Sequence, residues 1–166
     1  NGFLAGWLVK NLLENGAEVI ALNFQKNILS VFEDENLNEH CKVVFGDILD
    51  LDLLMRILTE HDVKTIFHLG AQAICDVALE KPALTLDINI RGTINVLEAV
   101  RLINPEISVV VASSDKAYGT HEKLPYLETF SLCGEFPYEV SKSCADLIAQ
   151  MYFKTYSIPI AIIRSS

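Results

Sequence analysis

The chain has 166 residues, of which 51% are hydrophobic and 21% are charged, a composition typical of one globular α/β domain. Its 13 Lys and Arg residues against 22 Asp and Glu give a formal net charge of -9, which repels a phosphate backbone and argues against nucleic-acid binding. No apolar run approaches the roughly 20 residues that a membrane-spanning helix needs, so we expect a soluble protein with no membrane segment.

The cysteines favour a reducing compartment. Cys41, Cys75, Cys133 and Cys144 show no paired C-x-x-C spacing, and nothing in the sequence suggests a secretory signal. We therefore expect free thiols and a cytoplasmic location. No His and Cys residues have the spacing of metal ligands, so we expect no metal site.

The chain opens with a glycine that is followed directly by a helical pattern. Apolar residues at positions 8, 9, 12 and 13 share one face, and Asn15-Gly16 is a typical helix end. Such an opening is similar to the second half of a dinucleotide-binding fingerprint, with Gly2 as the second glycine and Ala5 in the third position. The first glycine and first strand would then precede residue 1, and Gly2 would let the backbone approach a pyrophosphate. Alternatively, Gly2 is a simple helix cap.

Five apolar segments predict strands, and longer segments between them predict helices. The strands are expected at 17–22, 42–45, 64–69, 109–111 and 158–164, and the helices at 50–60, 83–102 and 138–156. This alternation predicts an α/β fold, a Rossmann-type doubly wound parallel sheet with helices on both faces. Residues 24–40 lack clear periodicity and predict a surface connection with some helix.

Polar residues follow the fourth predicted strand without a break. Val109-Val110-Val111-Ala112 leads into Ser113-Ser114-Asp115-Lys116, and ligands bind at this end of the strands in open α/β sheets. Farther along, Tyr138 and Lys142 stand at i and i+4, so they share one helical face. A nearby ammonium favours the phenolate and can lower the pKa of Tyr138 from about 10. The sequence therefore predicts a proton-transfer site.

These motifs together resemble the extended short-chain dehydrogenase/reductase family, of the NAD-dependent epimerase/dehydratase type. The resemblance rests on Ser-Ser-Asp-Lys-x-Tyr-Gly, Tyr-x-x-x-Lys, the helix Asn89-x-x-Gly-Thr-x-Asn-x-Leu-Glu-Ala and the segment Leu124-Pro125-Tyr126-x-Glu128, and it covers essentially the whole chain. It implies that residues 1–166 form a single NAD(P)-binding Rossmann domain. The chain would lack the first strand and the C-terminal substrate domain of its relatives.

The resemblance also implies a set of contacts with a nicotinamide cofactor. Asn23 stands where many relatives carry an acid for the adenosine ribose, and only Lys26 is near enough for a 2′-phosphate, so NAD is favoured and NADP stays open. Asp47 would line the adenine, or it could instead cap the helix at 50–60. His68 is interpreted as a core histidine. The expected cofactor contacts are Gly2, Phe3, Leu4, Asn23, Asp47, Ile48, Leu69, Gly70, Ala71, Gln72, Asn89, Ser113, Tyr138 and Lys142.

The pair Asp115-Lys116 is similar to the acid-base pair of sugar-nucleotide 4,6-dehydratases, and most of all to those acting on CDP-glucose. The resemblance implies that Tyr138, with Lys142 and Ser114, oxidises the sugar at C4 by hydride transfer to the cofactor. Asp115 would then protonate the leaving 6-hydroxyl and Lys116 would take the C5 proton, before hydride returns to C6. Alternatively, Asp115 and Lys116 form a structural ion pair without a role in turnover.

Two other functions remain open at this point. The protein could be an epimerase or reductase on a similar substrate, in which Asp115 and Lys116 only bind sugar hydroxyls, or a non-catalytic dinucleotide-binding regulatory protein. The family also implies a homodimer through the 83–102 and 138–156 helices. In the first of these, Asn89 would fix the active-site end and Gly92 would permit close packing.

Overall fold

The computed structural model describes residues 2–26 and 30–166, which fold as two compact units that meet in the sequence between Asp47 and Ile48. Each unit contains one parallel sheet, a pair in the first and a triplet in the second. All of their strand pairs are parallel, which agrees with the predicted Rossmann-type sheet.

The first unit is built from α1, Phe3–Glu14, and two strands, β1, Ile20–Asn23, and β2, Lys42–Phe45. The strands pair in parallel, with Ile20 opposite Lys42. Between them lie α2, Val31–Asp34, and a 3₁₀ turn, Leu37–Glu39, so the expected helical connection is confirmed for the described part of 24–40. Residues 27–29 of that segment lie outside the described residues.

The segment between β1 and β2 contributes two side chains to the core of the first unit. Val9 of α1 packs with Phe32 and Leu37, which lie in the segment predicted to be a surface connection. A Cβ on Gly6 would lie 3.0 Å from the Val31 Cβ, so the absence of a side chain lets α1 and α2 approach closely. Gly16, at φ +79°, ends α1 in the left-handed conformation that glycine adopts readily.

The second unit is a triplet of parallel strands with β4 in the centre. The strands are β3, Thr65–His68, β4, Ser108–Ala112, and β5, Ile160–Ile163. Strands β3 and β5 are shorter than their predicted segments, and β4 is one residue longer at each end than the predicted 109–111. Its helices are α3, Leu51–Glu60, α4, Cys75–Glu80, α5, Pro82–Leu86, α6, Gly92–Ile103, and α7, Pro137–Tyr156. The core of this unit comes mainly from β4, α6 and α7, including Val109, Val111, Leu97, Val100 and Ala149.

The predicted helix at 83–102 is continuous in the structure but contains a π-helical segment, Asp87–Arg91, between α5 and α6. Such short π segments interrupt α-helices mostly at functional sites. A second correction concerns α3: its N-cap is Asp50, whose carboxylate accepts from the Leu53 N–H at 2.9 Å. The alternative role of Asp47 as that cap is therefore wrong.

Candidate active site

The end of β4 presents its polar side chains in a defined turn. Ser113 and Ser114 are buried, and Ser114 caps a 3₁₀ turn formed by Asp115–Tyr118. Its Oγ accepts from the Lys116 N–H at 3.2 Å and donates to Asp115 Oδ1 at 3.1 Å. The abrupt change from apolar to polar residues in the sequence therefore marks the point where the chain leaves the sheet.

Helix α7 carries Tyr138 in its first turn, beside this strand end. Pro137 occupies the start of the helix, and the Glu139 carboxylate accepts from the N–H groups of Glu135 and Phe136 at 3.0 and 3.3 Å. These contacts satisfy donors that a helix start leaves unpaired. Tyr138, half-buried, is thereby fixed at the active-site end of α7.

The environment of Tyr138 brings its phenol to Ser114. Burial raises the pKa of Tyr138 above its ordinary value, hydrogen bonding with the Ser114 hydroxyl acts in the opposite direction, and nearby Cys75 and Asp115 raise it further. The expectation that Lys142 makes this phenol acidic is wrong in this structure, because burial dominates. The spacing of Tyr138 and Lys142 placed them on one face, but it could not reveal how much water the phenol loses.

Lys142 lies within the same polar cluster but bonds to the strand. Its side chain is 7% exposed, and its Nζ donates to the backbone oxygen of Ala112 at 2.8 Å. Burial lowers the pKa of Lys142 to about 8. The pKa of His68 is lowered to about 4 by burial and by the charge of Lys142, which places these two side chains near each other.

Asn89, in the π segment, joins α7 to the loop after β3. Its amide exchanges hydrogen bonds with the backbone of Gln72, accepting from the N–H at 2.8 Å and donating to the oxygen at 3.0 Å. It also donates to Ser141 Oγ at 2.8 Å, and Ser141 donates to the backbone oxygen of Tyr138 at 2.7 Å. The backbone contacts that Asn89 was expected to make at the active-site end of the 83–102 helix are confirmed by its bonds to Gln72. Ser141 of α7 is an additional partner that the sequence analysis missed.

His68 is a satisfied core histidine, as the sequence analysis interpreted it. It is buried, and its Nε2 lies 3.0 Å from Thr93 Oγ1, which in turn donates to the backbone oxygen of Asn89 at 2.7 Å. With its pKa near 4, the imidazole is neutral at physiological pH. His68 therefore supports the π segment and has no titrating role there.

A buried ion pair that the sequence analysis missed lies behind the turn. Arg164, just after β5, donates to both carboxylate oxygens of Asp146 at 2.7 and 3.0 Å, and to the Tyr118 hydroxyl at 2.8 Å. Burial alone would raise the pKa of Asp146, but hydrogen bonds from Arg164 and Gln150 outweigh it and hold the pKa below its usual range. A signal was present: Asp146 continues the Tyr138–Lys142 face at the next i+4 position.

Asp115 and Lys116 are less enclosed than the other predicted catalytic residues. Asp115 is half-buried, its backbone N–H donates to the Ser165 oxygen at 3.0 Å, and Lys116 is exposed. Within residues 2–26 and 30–166, the ion pairs do not include one between Asp115 and Lys116. The alternative of a structural ion pair is therefore not what the structure contains.

The expected cofactor contacts divide between the two units. In the first unit, Gly2 is the N-cap of α1, Phe3 and Leu4 are exposed, Asn23 is buried at the end of β1, and Asp47 follows β2. In the second unit, Ile48 packs against Gly70 and Gly92, and the loop Leu69–Gln72 follows β3. A Cβ on Gly92 would lie 2.9 Å from Ile48 Cγ1, which confirms that Gly92 permits close packing.

The start of α1 has the character of an anion site. Among residues 2–26 and 30–166, no side chain caps its unpaired N–H groups, no acidic residue lies in its first turn, and no atom comes within 4 Å of the position of a Cβ on Gly2. A dinucleotide pyrophosphate fits such a helix N-terminus because the N–H groups and the helix dipole favour negative charge. The structure thus suits the cofactor that the fingerprint predicts, although the contacts themselves stay a prediction.

Residues 2–26 and 30–166 contain neither a membrane-spanning helix nor a cluster of metal ligands. None of their helices combines the length and the apolar character that crossing a bilayer requires. Among the same residues, no three His, Cys, Asp or Glu side chains group where they could hold a metal ion. All four cysteines are free thiols.

Comparison with known proteins identifies the family. A family model described as GDP-mannose 4,6 dehydratase matches residues 1–166. The chain belongs to this family. The resemblance to epimerase/dehydratase-type short-chain dehydrogenases is therefore confirmed.

The most similar proteins include both dehydratases and epimerases. The CDP-glucose 4,6-dehydratase of Salmonella typhimurium is 32% identical over 160 residues, which are 95% of this chain and 45% of that protein. A crystal structure of UDP-glucose 4-epimerase from Thermotoga maritima with UDP-glucose matches 98% of this chain and 52% of its own, at 26% identity and a TM-score of 0.88. That of dTDP-glucose 4,6-dehydratase from Bacillus anthracis, in complex with NAD, matches 98% and 51%, at 27% identity and a TM-score of 0.84.

These matches confirm the Rossmann-type fold. The chain spans about half the length of the relatives it matches.

Proposed function

We propose that the protein is an NAD-dependent nucleotide-sugar 4,6-dehydratase, a lyase that eliminates water across C5 and C6 of a hexose. One observation carries the proposal: Ser114, Asp115 and Lys116 leave the end of β4 in one turn, which the Ser114 hydroxyl caps. Burial raises the pKa of Tyr138 and the Ser114 hydroxyl acts to lower it, which supports placing the phenol beside this turn. The names of two relatives, a CDP-glucose and a dTDP-glucose 4,6-dehydratase, support this substrate class.

Ser114, Tyr138 and Lys142, here named the redox group, would oxidise the sugar at C4. Tyr138 takes the proton of the 4-hydroxyl, and the Ser114 hydroxyl donates to that oxygen and holds it in line. When bound, NAD would supply the hydride-transfer chemistry for C4 and C6 and a positive charge that favours the phenolate. The Lys142 ammonium is buried, so it interacts with nearby charges and dipoles more strongly than it would in water.

Asp115 and Lys116, here named the elimination pair, would act on the ketone. The C4 ketone acidifies the C5 proton, which Lys116 would accept, while Asp115 would protonate the 6-hydroxyl as the C6–O bond breaks and water leaves. Lys116 would then return the proton to C5 as hydride adds to C6. Both groups lie in the same 3₁₀ turn, adjacent to Ser114. This placement supports a role for them on the sugar that Ser114 holds.

Turnover with a panel of nucleotide sugars tests the proposal. The full-length product of the gene encoding this chain is incubated with CDP-, dTDP- and UDP-glucose and GDP-mannose, with and without added NAD. A 4-keto-6-deoxy product, detected by its absorbance in alkali, is the expected result. Inversion at C4 or C5 would favour the alternative of an epimerase, which the likeness to UDP-glucose 4-epimerase supports. Binding without turnover would point to a regulatory protein.

The choice of NAD over NADP is a separate part of the proposal. Asn23 is buried at the end of β1, and a neutral residue there neither binds the ribose as a carboxylate would nor neutralises a 2′-phosphate. A relative with bound NAD supports NAD. Calorimetric titration with both cofactors should give tighter binding of NAD, and tighter binding of NADP would contradict the choice.

A homodimer through residues 83–102 and 138–156 is also part of the proposal. Both segments present exposed apolar side chains, among them Leu84 and Leu102 on the first, and Leu147, Met151 and Phe153 on the second. Leu147 and Met151, four residues apart on α7, share one helix face, and exposed apolar side chains that form such a patch mark interaction surfaces. Sedimentation should give a dimer for the full-length protein and a monomer for Leu147→Glu, and a monomeric wild-type protein would contradict this part.

The remaining parts of the proposal are the domain assignment and the location. We assign residues 1–166 to one NAD(P)-binding Rossmann domain and the protein to the cytoplasm. The match of the family model over 1–166 and the four free thiols support these assignments. Cell fractionation tests the second, and recovery in an oxidising compartment would contradict it.

A further inference from the structure

We infer that the Tyr118 hydroxyl, held by Arg164, positions the turn that carries Asp115 and Lys116 for the elimination step. Tyr118 is a positioning residue in this scheme, since it acts through the turn and not on the sugar. The inference rests on the proposed dehydratase function. It assigns to one buried side chain the task of aligning the elimination pair separately from the redox group.

The turn is anchored at both ends by two consecutive residues of the segment that follows β5. At its first residue, the Asp115 N–H donates to the Ser165 oxygen at 3.0 Å. At its last residue, the Tyr118 hydroxyl accepts from Arg164 Nη1 at 2.8 Å. Because the turn has only four residues, fixing both of its ends leaves little freedom for the side chains of Asp115 and Lys116.

Arg164 is itself rigidly held. Its Nε and Nη2 form a bidentate pair with Asp146, which is completely buried and receives a further hydrogen bond from Gln150 Nε2 at 2.8 Å. A planar guanidinium loses little freedom when it bonds in this fork geometry, and the pair adds directional precision. Arg164 therefore offers the Tyr118 hydroxyl a donor in a fixed position.

This arrangement connects the elimination pair to the helix of the redox group. Asp146 lies on α7, two turns after Tyr138, so Arg164 relates the position of the turn to the position of the phenol. By contrast, Lys142 bonds to Ala112, and the start of α7 is fixed by the bond between Ser141 and Asn89. Ser114 bonds within its own turn and Lys142 bonds to Ala112, so neither set of bonds involves Tyr118 or Arg164. Loss of the Tyr118 hydroxyl should therefore disturb elimination and spare C4 oxidation.

A matched pair of tyrosine variants tests the inference. Tyr118→Phe removes the hydroxyl and keeps the ring, which stacks on the Tyr126 ring with centroids 5.2 Å apart. Tyr126→Phe is the control, because it removes a hydroxyl from the same ring pair that donates to the Gly119 oxygen at 3.0 Å and not to Arg164. Both changes lose one hydrogen bond and no packing, and circular dichroism of each variant checks the fold.

The two half-reactions are measured separately in single turnovers of the full-length protein loaded with NAD. Oxidation at C4 is followed by the absorbance of the reduced nicotinamide, and elimination by the 4-keto-6-deoxy product and by exchange of the C5 hydrogen with deuterated water. For Tyr118→Phe we expect elimination to slow about tenfold, with oxidation within about twofold, because misplacement by a fraction of an ångström suffices for such a loss. Reduced cofactor should therefore accumulate, and Tyr126→Phe should behave as the wild-type protein.

Each other outcome overturns a specific statement. Equal losses of both half-reactions, or the same loss in Tyr126→Phe, would show a general structural effect and overturn the positioning role. An unchanged Tyr118→Phe enzyme would overturn it as well. Failure of the wild-type protein to form any 4-keto-6-deoxy product would overturn the proposed function itself, and the inference with it.

Discussion

The redox group and the elimination pair leave the same strand end, but the protein holds them differently. Lys142 is almost completely buried, Ser114 is buried and Tyr138 is half-buried, and helix α7 fixes two of the three. Lys116 is exposed, and Asp115, which is half-buried, accepts a hydrogen bond from Ser114 Oγ at 3.1 Å. One group is part of the core, and the other lies at its surface.

This difference teaches how one scaffold can serve related reactions. A buried redox group fixes the chemistry at C4, where both dehydration and C4 epimerisation begin with oxidation. In the proposed function, the elimination pair beside it would decide what happens to the ketone. The chain is similar both to a CDP-glucose 4,6-dehydratase and to a UDP-glucose 4-epimerase.

The largest expected effect comes from breaking the redox group. Tyr138→Phe removes the acid-base hydroxyl, and we expect the turnover number to fall by about three orders of magnitude, within the range for loss of a general base. Neither reduced nicotinamide nor keto product should form. Single-turnover absorbance with the preferred nucleotide sugar measures the first, and alkaline absorbance the second.

Asp115→Asn is the matched comparison, because it keeps the size of the side chain and removes the proton donor of the elimination pair. Reduced nicotinamide should then form at a near-normal rate while the keto product is lost. If Tyr138→Phe and Asp115→Asn abolish both signals alike, the two groups do not have separate functions and the comparison is broken.

The next effect concerns the buried support behind both groups. Asp146→Asn leaves Arg164 without its carboxylate, and breaking a buried pair in this way costs about 3 kcal/mol of unfolding free energy. Because the pKa of Asp146 is depressed in the folded protein, its contribution is present above the ordinary carboxyl pKa of about 3.9 and is lost as the pH falls further. Urea denaturation at neutral and acidic pH measures both.

Thr59→Ala is a suitable control for Asp146→Asn, since its hydroxyl bonds only to the exposed backbone of its own helix. We expect it to change stability by less than about 0.5 kcal/mol at every pH. A loss for Asp146→Asn that is equally small would show that the Arg164 pair adds nothing to the fold.

How far the sequence predicts this site depends on the range of each interaction. The apolar-to-polar change after Ala112 is a local pattern, and it correctly predicted the end of β4. The i and i+4 spacing of Tyr138 and Lys142 is also local, and both residues lie on α7 as predicted, while their shared role in catalysis stays a prediction. Burial is not local, so the sequence predicted a lowered pKa for Tyr138 where the structure raises it. The pairing of Asp146 with Arg164 also depends on how α7 packs against the end of β5, which no periodicity encodes.

The π segment and the core of the first unit were missed for the same reason. An extra residue in one helical turn hardly alters the apolar pattern of 83–102, so the sequence predicted a regular helix. Phe32 and Leu37 lie among polar residues, and only their packing against Val9 shows that the connection is part of a core.

A smaller effect on stability is expected from the buried ammonium of Lys142, in contrast to the exposed Lys116. Burial lowers the pKa of Lys142 from 10.5 to about 8, so the unfolded chain binds this proton more tightly and stability increases as the pH rises between those values. Lys142→Met should be more stable than the wild type at neutral pH by on the order of 2 kcal/mol, after allowance for the lost hydrogen bond to Ala112. This advantage should shrink toward pH 10.5.

Ser141→Ala serves as the control for Lys142→Met, because it removes the neighbouring hydroxyl and no titrating group. Its stability difference from the wild type should not vary with pH. Unfolding curves in urea at several pH values between 7 and about 10.5 give the two differences directly. If the difference in unfolding free energy between Lys142→Met and the wild type also stays constant with pH, burial of the Lys142 ammonium does not destabilise the folded protein.

The smallest expected effect concerns the packing of Gly92 against Ile48. Gly92→Ala should destabilise the wild-type protein but stabilise a variant in which the Ile48 side chain is shortened. A Cβ on Gly92 would lie 2.9 Å from Ile48 Cγ1 and closer still to its Cδ1, so Gly92→Ala should destabilise the protein by about 1 kcal/mol through overpacking. In an Ile48→Ala background the space is free, and the helix propensity of alanine should make the same change stabilising by about 0.5 kcal/mol. Urea unfolding of the four proteins measures this coupling. The ratio of keto product to reduced nicotinamide should stay unchanged in all of them, because the contacts of the Asp115–Tyr118 turn include neither residue.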